Sequence, residues 1–383
     1  LGDAAKYTSR RALMRDLGRL LVLRGFPLSR LTCFVRTLHP QASGTSVVWY
    51  RDGGDPTILR VLRGMESTDA FQQSPLPVIF SGAMGIRRRL DRPGELDDFP
   101  ILQDLRDEGA TDYVAMPLIF SDGMINFVTW TADRPGGFTT EELTELYDLM
   151  PALSARLEIL EQRDLTRQLM EIYLGKETGH RVLAGDIIRG ESRSIRAAIW
   201  VSDLRDFTGL SDRLPRDEII RLLDAFFELA VQAVEERGGE VLKFLGDGML
   251  AIFPAEDEAD VQACRNALAA ARDTTHMVRA LNTRRLKTGK ERIDFGIALH
   301  LGEVGYGNIG GAERLDFTVI GPAVNLASRV ESLTRSLGVR VLASETFATC
   351  LARSAAETLT DMGIHRVKGL TEPVRVFAPS DLL

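Results

Sequence analysis

The sequence pattern places two aspartates, Asp203 and Asp247, where their carboxylates are predicted to lie close together. Asp203 directly follows residues 195–202, a nearly continuous apolar run typical of a strand buried on both faces. Asp247 lies in Gly246-Asp247-Gly248, which indicates the turn of a neighbouring hairpin. Mg²⁺ prefers a few carboxylates plus substrate phosphates, so carboxylates that converge at one sheet edge indicate a two-metal nucleotide site. Taken singly, each aspartate also fits an ordinary turn or capping residue.

A second polar pair occupies a single predicted helix. Pro322 favours the start of that helix, and Asn325 and Arg329, four residues apart, project from the same face. An arginine in such a place can donate two hydrogen bonds to phosphate oxygens on which charge develops in a transition state. The competing interpretation is a polar pair that faces solvent.

The elements around these residues follow a recognisable order. After the strand at 195–202, a helix begins at Leu214-Pro215 and ends at Gly238-Gly239. Two strands follow at 240–245 and 249–253, then a helix from about 256 to 285 and a strand whose apolar residues alternate from 293 to 301, as in a half-buried strand. This β-α-β-β-α-β order is that of a ferredoxin-like core, and it predicts an α+β fold for residues 195–383.

The first part of the chain, residues 1–140, predicts a smaller α/β domain. Its helix at 99–108 precedes a hairpin that turns at Ser121-Asp122-Gly123, and Thr139 with Glu142 forms a capping-box pattern. The element order resembles that of GAF or PAS-like sensor domains, which implies an unknown small-molecule or protein signal. The predicted strands are 31–38, 45–50, 58–62, 113–120 and 124–130.

Residues 141–194 are charged and helical, and they predict a helical signalling linker. An apolar stripe runs along this segment, and Pro151 is expected to kink it. Two interpretations stay open, namely an amphipathic helix packed on its own domain and a helix that pairs with its counterpart in a dimer. The stripe consists of Leu153, Leu157, Leu160, Leu165, Leu169 and Ile172.

Composition narrows the class of protein. With 383 residues, 44% of them apolar, the chain has material for two domains. Its 47 basic and 54 acidic residues give a net charge of -7, which argues against a nucleic-acid-binding face or a polybasic membrane anchor. The longest apolar stretch, 113–130, contains Pro117 and Asp122, so we expect no membrane span. We also expect no secretory signal and a cytoplasmic location, with Cys33, Cys264 and Cys350 as buried thiols.

Four sequence blocks together resemble the signature blocks of class III nucleotide cyclases. The resemblance extends over about 195–377 and implies an adenylate cyclase, a lyase that converts ATP to 3′,5′-cyclic AMP and pyrophosphate. A threonine at position 318 is similar to a large bacterial subclass of these enzymes. The blocks are residues 201–208 (VSDLRDFT), 241–253 (VLKFLGDGMLAIF), 300–310 (HLGEVGYGNIG) and 316–329 (DFTVIGPAVNLASR).

The resemblance implies a role for each matching position. Asp203 and Asp247 would bind two Mg²⁺ or Mn²⁺ ions per active site, one activating the ribose 3′-hydroxyl and both neutralising phosphate charge. Asn325 would orient the ribose, and Arg329 would stabilise the transition state. Lys243 and Thr318 would read the base.

The physical properties of the base-reading pair agree with this assignment. Lysine donates to an adenine ring acceptor and threonine oxygen accepts from the exocyclic amine, whereas guanine has a carbonyl there, so ATP is expected over GTP. Backbone N–H groups of Phe207 and Thr208, at the start of the next helix, can hold phosphates, and Lys368 is a further candidate contact.

The family arrangement also implies a homodimer in which two catalytic domains pack head to tail and share each active site. Two positions depart from the family pattern, since Asp206 replaces a glycine and Pro322 replaces an Asp or Asn. The alternative function is a nucleotide-binding regulatory module without catalysis. Because Asp203, Asp247 and Arg329 are all present, the sequence favours an active enzyme.

Overall fold

The structure, a computed structural model, describes residues 8–38, 42–92, 99–255, 259–353 and 358–383. The chain divides into two units, Leu1–Gln168 and Leu169–Leu383, and each has hydrophobic clusters of its own. The division falls inside the segment predicted as a linker. Among the described residues, no helix combines the length and the apolar character needed to cross a membrane.

The first unit is built on a six-stranded antiparallel sheet in the order β3-β2-β1-β6-β5-β4. The five strands predicted from the sequence are confirmed within a few residues. One strand, β4, was missed because its sequence, Ile86-Arg-Arg-Arg89, lacks apolar alternation. The strands are β1 (Leu28–Arg36), β2 (Ala42–Tyr50), β3 (Thr57–Leu62), β4 (Ile86–Arg89), β5 (Asp112–Ile119) and β6 (Ile125–Ala132).

Helices cover both faces of this sheet. The inward residues of α1 and α5, such as Leu17 and Leu157, pack with Trp130 in one cluster, and the short helices pack on the opposite face around Phe127. The predicted capping box is confirmed, because Thr139 N–H donates to Glu142 and Glu142 N–H donates to Thr139 Oγ1 at 3.2 Å. The helices are α1 (Arg10–Leu23), α2 (Asp69–Gln72), α3 (Leu76–Phe80), α4 (Pro100–Asp107) and α5 (Thr140–Leu174).

The helix α5 runs unbroken through Pro151. Its first apolar residues, including Leu153 and Leu160, are buried in the core of the first unit, as the interpretation of an amphipathic helix packed on its own domain requires. Further along, Leu169 is half-buried and Ile172 is 44% exposed. The stripe is therefore a core element at its start and a surface element near its end.

The second unit contains the predicted β-α-β-β-α-β core, so the α+β prediction is confirmed. Its central sheet has the order β13-β14-β12-β10-β7-β9-β8, and β11 pairs with β10. The four strands β10-β7-β9-β8 are antiparallel neighbours, which is the ferredoxin-like order. The strands are β7 (Ser192–Leu204), β8 (Glu240–Leu245), β9 (Gly248–Pro254), β10 (Phe295–Gly310), β11 (Leu315–Ile320), β12 (Val341–Ser344), β13 (Leu359–His365) and β14 (Val374–Pro379).

Helices bury both faces of the central strands. The sequence predicted a half-buried β10, and this is wrong, because every residue from Phe295 to Leu301 is buried. Small or paired side chains such as Ala298 occupy the second face beneath α10, which sequence alternation does not reveal. The predicted helix start near 256 lies outside the described residues. The helices are α6 (Lys176–Ala184), α7 (Phe207–Arg213), α8 (Arg216–Glu236), α9 (Asp260–Lys287), α10 (Pro322–Ser336) and α11 (Glu345–Ala352).

Candidate active site

The strand β7 carries Asp203 to the edge of the sheet. Residues 197–202 of this strand are buried, and Asp203 is half-exposed where the strand ends. The backbone then turns at Asp206, whose φ of 57° is the one positive value among the described non-glycine residues. Such a conformation costs about 1 kcal/mol for a residue with a Cβ, so glycine is the easier residue here. The Asp206 carboxylate accepts a hydrogen bond from Arg213 at 3.2 Å.

The hairpin between β8 and β9 brings Asp247 to the same edge. Gly246 turns the chain with φ of 66°, and Ser202 of β7 pairs with Met249 of β9. Gly248 lies so close to β7 that an added Cβ would come within 2.7 Å of the Ser202 carbonyl oxygen and 3.0 Å of Asp203 Oδ1. Only glycine permits this approach, so the hairpin sequence itself positions the second carboxylate.

The two carboxylates interact strongly. The pKa of Asp203 is raised from its ordinary 3.8 to about 6, chiefly by loss of solvation and next by the charge of Asp247 and a hydrogen bond with its side chain. Within the described ranges, no cluster of three or more His, Cys, Asp or Glu is placed to hold a metal by itself. A pair of carboxylates nevertheless suits Mg²⁺ or Mn²⁺, because a triphosphate supplies the remaining oxygens.

A third carboxylate lies near this pair and was missed by the sequence analysis. Burial raises the pKa of Glu331 to about 7, and the charge of Asp203 is the next largest cause. Glu331 Oε1 accepts a hydrogen bond from Thr334 at 3.3 Å and faces Gly296, where a Cβ would come within 2.3 Å of it. The sequence signal that could have revealed Glu331 is its position beside the buried residues Ala327, Val330 and Thr334 of α10.

The expected base-reading residues lie on β8 and β11. Lys243 Nζ is 3.9 Å from Asp316 Oδ2, an ion pair that joins the two strands. Thr318 is only 3% exposed, and its Oγ1 is buried without a hydrogen-bond partner in the described part of the chain. A buried, unpaired hydroxyl costs about 1–3 kcal/mol, which a base amine would recover. The Thr318 side chain is covered by neighbouring residues of its own chain.

The expected ribose and transition-state residues lie on the outer face of α10. Asn325 and Arg329 are exposed, and Arg329 leans towards Gly369, where an added Cβ would be 3.7 Å from its guanidinium. The neighbouring Lys368 is also exposed. At the other edge, Phe207 packs partly into the core, whereas Thr208 is exposed.

The helix α10 therefore has two polar faces. Glu331 points inward to the side of Asp203, and Arg329, two residues earlier, is turned by about 200° around the helix axis. The structure groups Asp203, Asp247 and Glu331 at one place and Arg329 with the 367–369 segment at another. Within one chain, the arginine faces away from the carboxylate pair.

Comparison with known proteins identifies the class of the second unit. Residues 191–378 match the family model described as the adenylate and guanylate cyclase catalytic domain. This part of the chain is a class III adenylate/guanylate cyclase catalytic domain, as its fold and its carboxylate pair indicated. The family model covers both adenylate and guanylate cyclases, so the match does not distinguish ATP from GTP as the substrate.

Similar proteins include one that is named as an adenylate cyclase. The chain is 33% identical to an adenylate cyclase of Anabaena cylindrica over 193 residues, which cover 49% of this chain and 37% of that protein. It is 31% identical to an uncharacterised protein of Mycobacterium tuberculosis over 250 residues, 63% of this chain and 43% of that protein. The chain thus spans about two fifths of the length of these curated relatives.

Among solved structures, a bacterial light-regulated adenylyl cyclase superposes with a TM-score of 0.51. The match covers 73% of this chain and 88% of that one. At 20% identity it shows a shared fold.

We predict that Asp203→Asn raises the melting temperature of the metal-free protein at a pH of about 7.5. The folded-state pKa of about 6 lies above the ordinary 3.8, so ionised Asp203 destabilises the fold above pH 6, and this cost disappears below about pH 4. Thermal unfolding in EDTA measures the gain, which should shrink as the pH falls towards about 4.5.

Addition of Mn²⁺ should reverse the order, stabilising the parent more than Asp203→Asn. The exposed Asp212→Asn is the matched control and should change neither result. A lower melting temperature for metal-free Asp203→Asn at neutral pH would contradict the electrostatic description of this edge.

Proposed function

We propose that this chain is an adenylate cyclase that converts ATP to 3′,5′-cyclic AMP and pyrophosphate in the cytoplasm. The observation that carries the proposal is the convergence of Asp203 and Asp247 at the end of β7 in a cyclase catalytic domain. Domains of this family act on nucleotides and generally use divalent metal ions. The buried free thiols of the three cysteines fit a reducing compartment.

Different residues of the chain have different roles in the proposed reaction. Asp203 and Asp247 would hold two Mg²⁺ or Mn²⁺ ions, which would supply positive charge to neutralise the phosphates and would lower the pKa of the ribose 3′-hydroxyl. Asn325 orients the ribose, and Arg329 donates to the phosphate oxygens as charge develops on them. The phosphates are further held by the backbone N–H groups of Phe207 and Thr208 and by the ammonium group of Lys368.

Base selection rests on Lys243 and Thr318. In the free chain Lys243 is paired with Asp316, and Thr318 Oγ1 has no hydrogen-bond partner among the residues that the structure describes. Adenine would take up both groups, the lysine as donor to a ring nitrogen and the threonine oxygen as acceptor from the amine. Guanine carries a carbonyl in place of that amine and would leave the buried threonine poorly paired, so ATP is preferred.

We infer that each active site is shared between two copies of the chain. Glu331 and Arg329 lie on opposite faces of α10, so one protomer offers its carboxylates and its arginine in different directions. Large apolar side chains beside the site residues are exposed, with Phe244 at 52%, Leu245 at 52% and Ile320 at 53%. Exposed apolar patches next to polar site residues are typical of interfaces, and the family commonly forms dimers.

Regulation is proposed to enter through the segment that precedes β7. The first 140 residues would act as a GAF or PAS-like sensor for an unknown small-molecule or protein signal. After α5, the helix α6 is tied to the catalytic domain by the buried Glu240. One Glu240 oxygen accepts from Thr178 N–H at 3.1 Å and from its hydroxyl at 2.6 Å, and the other accepts from Tyr306 at 2.6 Å.

Glu240 also begins β8, the strand that carries Lys243 and leads into the Gly246-Asp247 turn. A shift of α6 would therefore act on the strand that bears both a base contact and a metal ligand. The Arg181 guanidinium, 5.0 Å from the centre of the Tyr306 ring, adds a second contact between this helix and the catalytic sheet.

A second prediction tests activity and base choice together. The purified chain should form cyclic AMP from ATP with Mg²⁺ or Mn²⁺, and much less cyclic GMP from GTP, by chromatography of the products. Lys243→Glu with Thr318→Cys removes two base contacts of about 1.5 kcal/mol each, so kcat/KM for ATP should fall by at least about 100-fold.

The surface variant Lys290→Glu is the matched control and should retain parental turnover and base preference. Melting curves must show that the double variant is folded. Unchanged ATP turnover in that folded variant would overturn the assignment of the base contacts, and no cyclic nucleotide from the parent would overturn the proposed function.

A third prediction tests the shared site by mixing two inactive chains. Asp203→Ala and Arg329→Ala damage different sites of a mixed dimer, so one site stays intact. With random pairing, half the dimers are mixed and each has one of two sites, so recovery should reach about a quarter of parental activity.

Mixing Asp203→Ala with Asp247→Ala is the control, because both sites of that mixed dimer lack a metal ligand. It should show no recovery. Background activity from the first mixture after verified subunit exchange would refute the shared site.

A fourth prediction concerns Glu240→Gln, which replaces one hydrogen-bond acceptor of the network by a donor. Breaking a buried hydrogen bond to a charged group costs about 1.5–3 kcal/mol, so α6 should open more often. Hydrogen exchange should quicken at residues 176–184, and basal turnover should change. Glu236→Gln, on the exposed end of α8, is the control. If turnover is unaltered although exchange in α6 is faster, the proposed role of this helix in regulation is contradicted.

A further inference from the structure

A cavity of about 300 Å³ lies in the first unit, on the face of the sheet opposite α1 and α5. Its floor is formed by β1, β2 and β6, and its walls include α2 and α3. The volume falls at the lower end of the range typical of small-molecule sites. The cavity lies outside the catalytic domain and has no part in the proposed cyclase chemistry.

Aromatic rings form the apolar wall of this cavity. Phe34 and Phe127 stack with ring centres 5.1 Å apart and planes 16° apart. Phe80 meets both of them edge-on, at 6.2 and 5.9 Å, and Phe71 stacks on Phe80 at 6.1 Å. Rings arranged in this way favour a flat apolar ligand, which can stack or meet their edges.

Polar groups are placed beside these rings by strand periodicity. Successive side chains alternate between sheet faces, so Arg30, Thr32 and Phe34 share the cavity face of β1. Thr32 pairs across the strands with Thr129, and Arg30 pairs with Thr131. A sheet face that is buried under helices is usually apolar, so these arginine and threonine side chains are not explained by packing alone.

Three polar atoms in this group are buried and have no hydrogen-bond partner in the described part of the first unit. They are Arg30 Nε, Thr32 Oγ1 and Thr131 Oγ1, and Thr131 is only 2% exposed. Leaving such atoms unpaired costs about 1–3 kcal/mol each, and more for a charged group. A ligand that accepts from Arg30 and Thr32 would recover part of this cost.

The charge of the cavity selects the sign of the ligand. Its described lining contains Arg30 and Arg36 and no Asp or Glu. The guanidinium groups contact rings, Arg30 with Tyr50 at 5.4 Å and Arg36 with Phe80 at 4.8 Å. A carboxylate matches the forked donors of an arginine, whereas a cation would meet only positive charge.

We propose that this cavity binds a small aromatic monocarboxylate. The ring of the ligand would lie against Phe34, Phe80 and Phe127, and its carboxylate would accept hydrogen bonds from Arg30 and Thr32. The site would give the first unit a chemically defined ligand class. Binding here is independent of whether the catalytic domain uses ATP.

Calorimetric titration of the full chain tests the ligand class with three probes: phenylacetate, 3-phenylpropionate and indole-3-acetate. Each acid is compared with its uncharged amide, which has nearly the same shape, and acetate serves as the probe without a ring. At least one acid should bind at least about tenfold more tightly than its amide and than acetate. Equal affinity for acid and amide, or no binding by any of the three acids, would overturn the proposal.

Variants of the cavity test its residues. Arg30→Gln should weaken binding of the best acid by at least about tenfold, and Arg30→Lys should keep part of it, because charge remains while the fork is lost. Thr32→Val, nearly isosteric, should weaken binding less. Arg19→Gln, exposed on α1, is the control. If folded Arg30→Gln binds the best acid as tightly as the parent, the site is refuted. If Arg30→Gln does not fold, undiminished binding by both Thr32→Val and Arg30→Lys refutes it instead.

Discussion

The meeting of Asp203 and Asp247 is the constraint on which the catalytic domain depends. Two carboxylates that lose solvation side by side repel each other, and the fold tolerates this because β7 is fixed on both faces. The loop after Asp203 is held by Arg205, which donates to the Thr334 carbonyl at 3.0 Å and to the Val339 carbonyl at 2.5 Å. Packing energy in the sheet therefore offsets electrostatic repulsion at its edge, as sites built for cations require.

The helix α10 links this edge to the remaining site residues. Its inner face packs Ala327 and Val330 against the sheet and places Glu331 near the carboxylate pair, while Arg329 stays at the surface. The helix α10 thus carries the acidic Glu331 on its inner face and the basic Arg329 on its outer face. This division is what the proposed shared site requires, because in a symmetric pair each helix could contribute its arginine to the site of the other copy.

The two faces of the first sheet show a different division. One face carries the core of α1 and α5, with Trp130 and Leu31 fully buried. The other face carries stacked phenylalanines next to Arg30 and Thr32, so its burial is only partly driven by the hydrophobic effect. The residues alternate along the same strands, so Arg30 Nε, Thr32 Oγ1 and Thr131 Oγ1, which lack partners among the described residues, lie on the side opposite Trp130.

Local sequence pattern was enough to predict the strands with strong apolar periodicity, the capping box at Thr139, and the convergence of Asp203 and Asp247, because these depend on neighbouring residues and on one hairpin. It did not reveal β4, the burial of both faces of β10, or the division between units inside α5. Those depend on which helix covers which face, a property of the packed chain. The same reason explains Glu331 and the covered Thr318. An acid and a hydroxyl in sequence carry no sign of burial, and only tertiary packing decided that one lies beside two aspartates and the other lacks a partner.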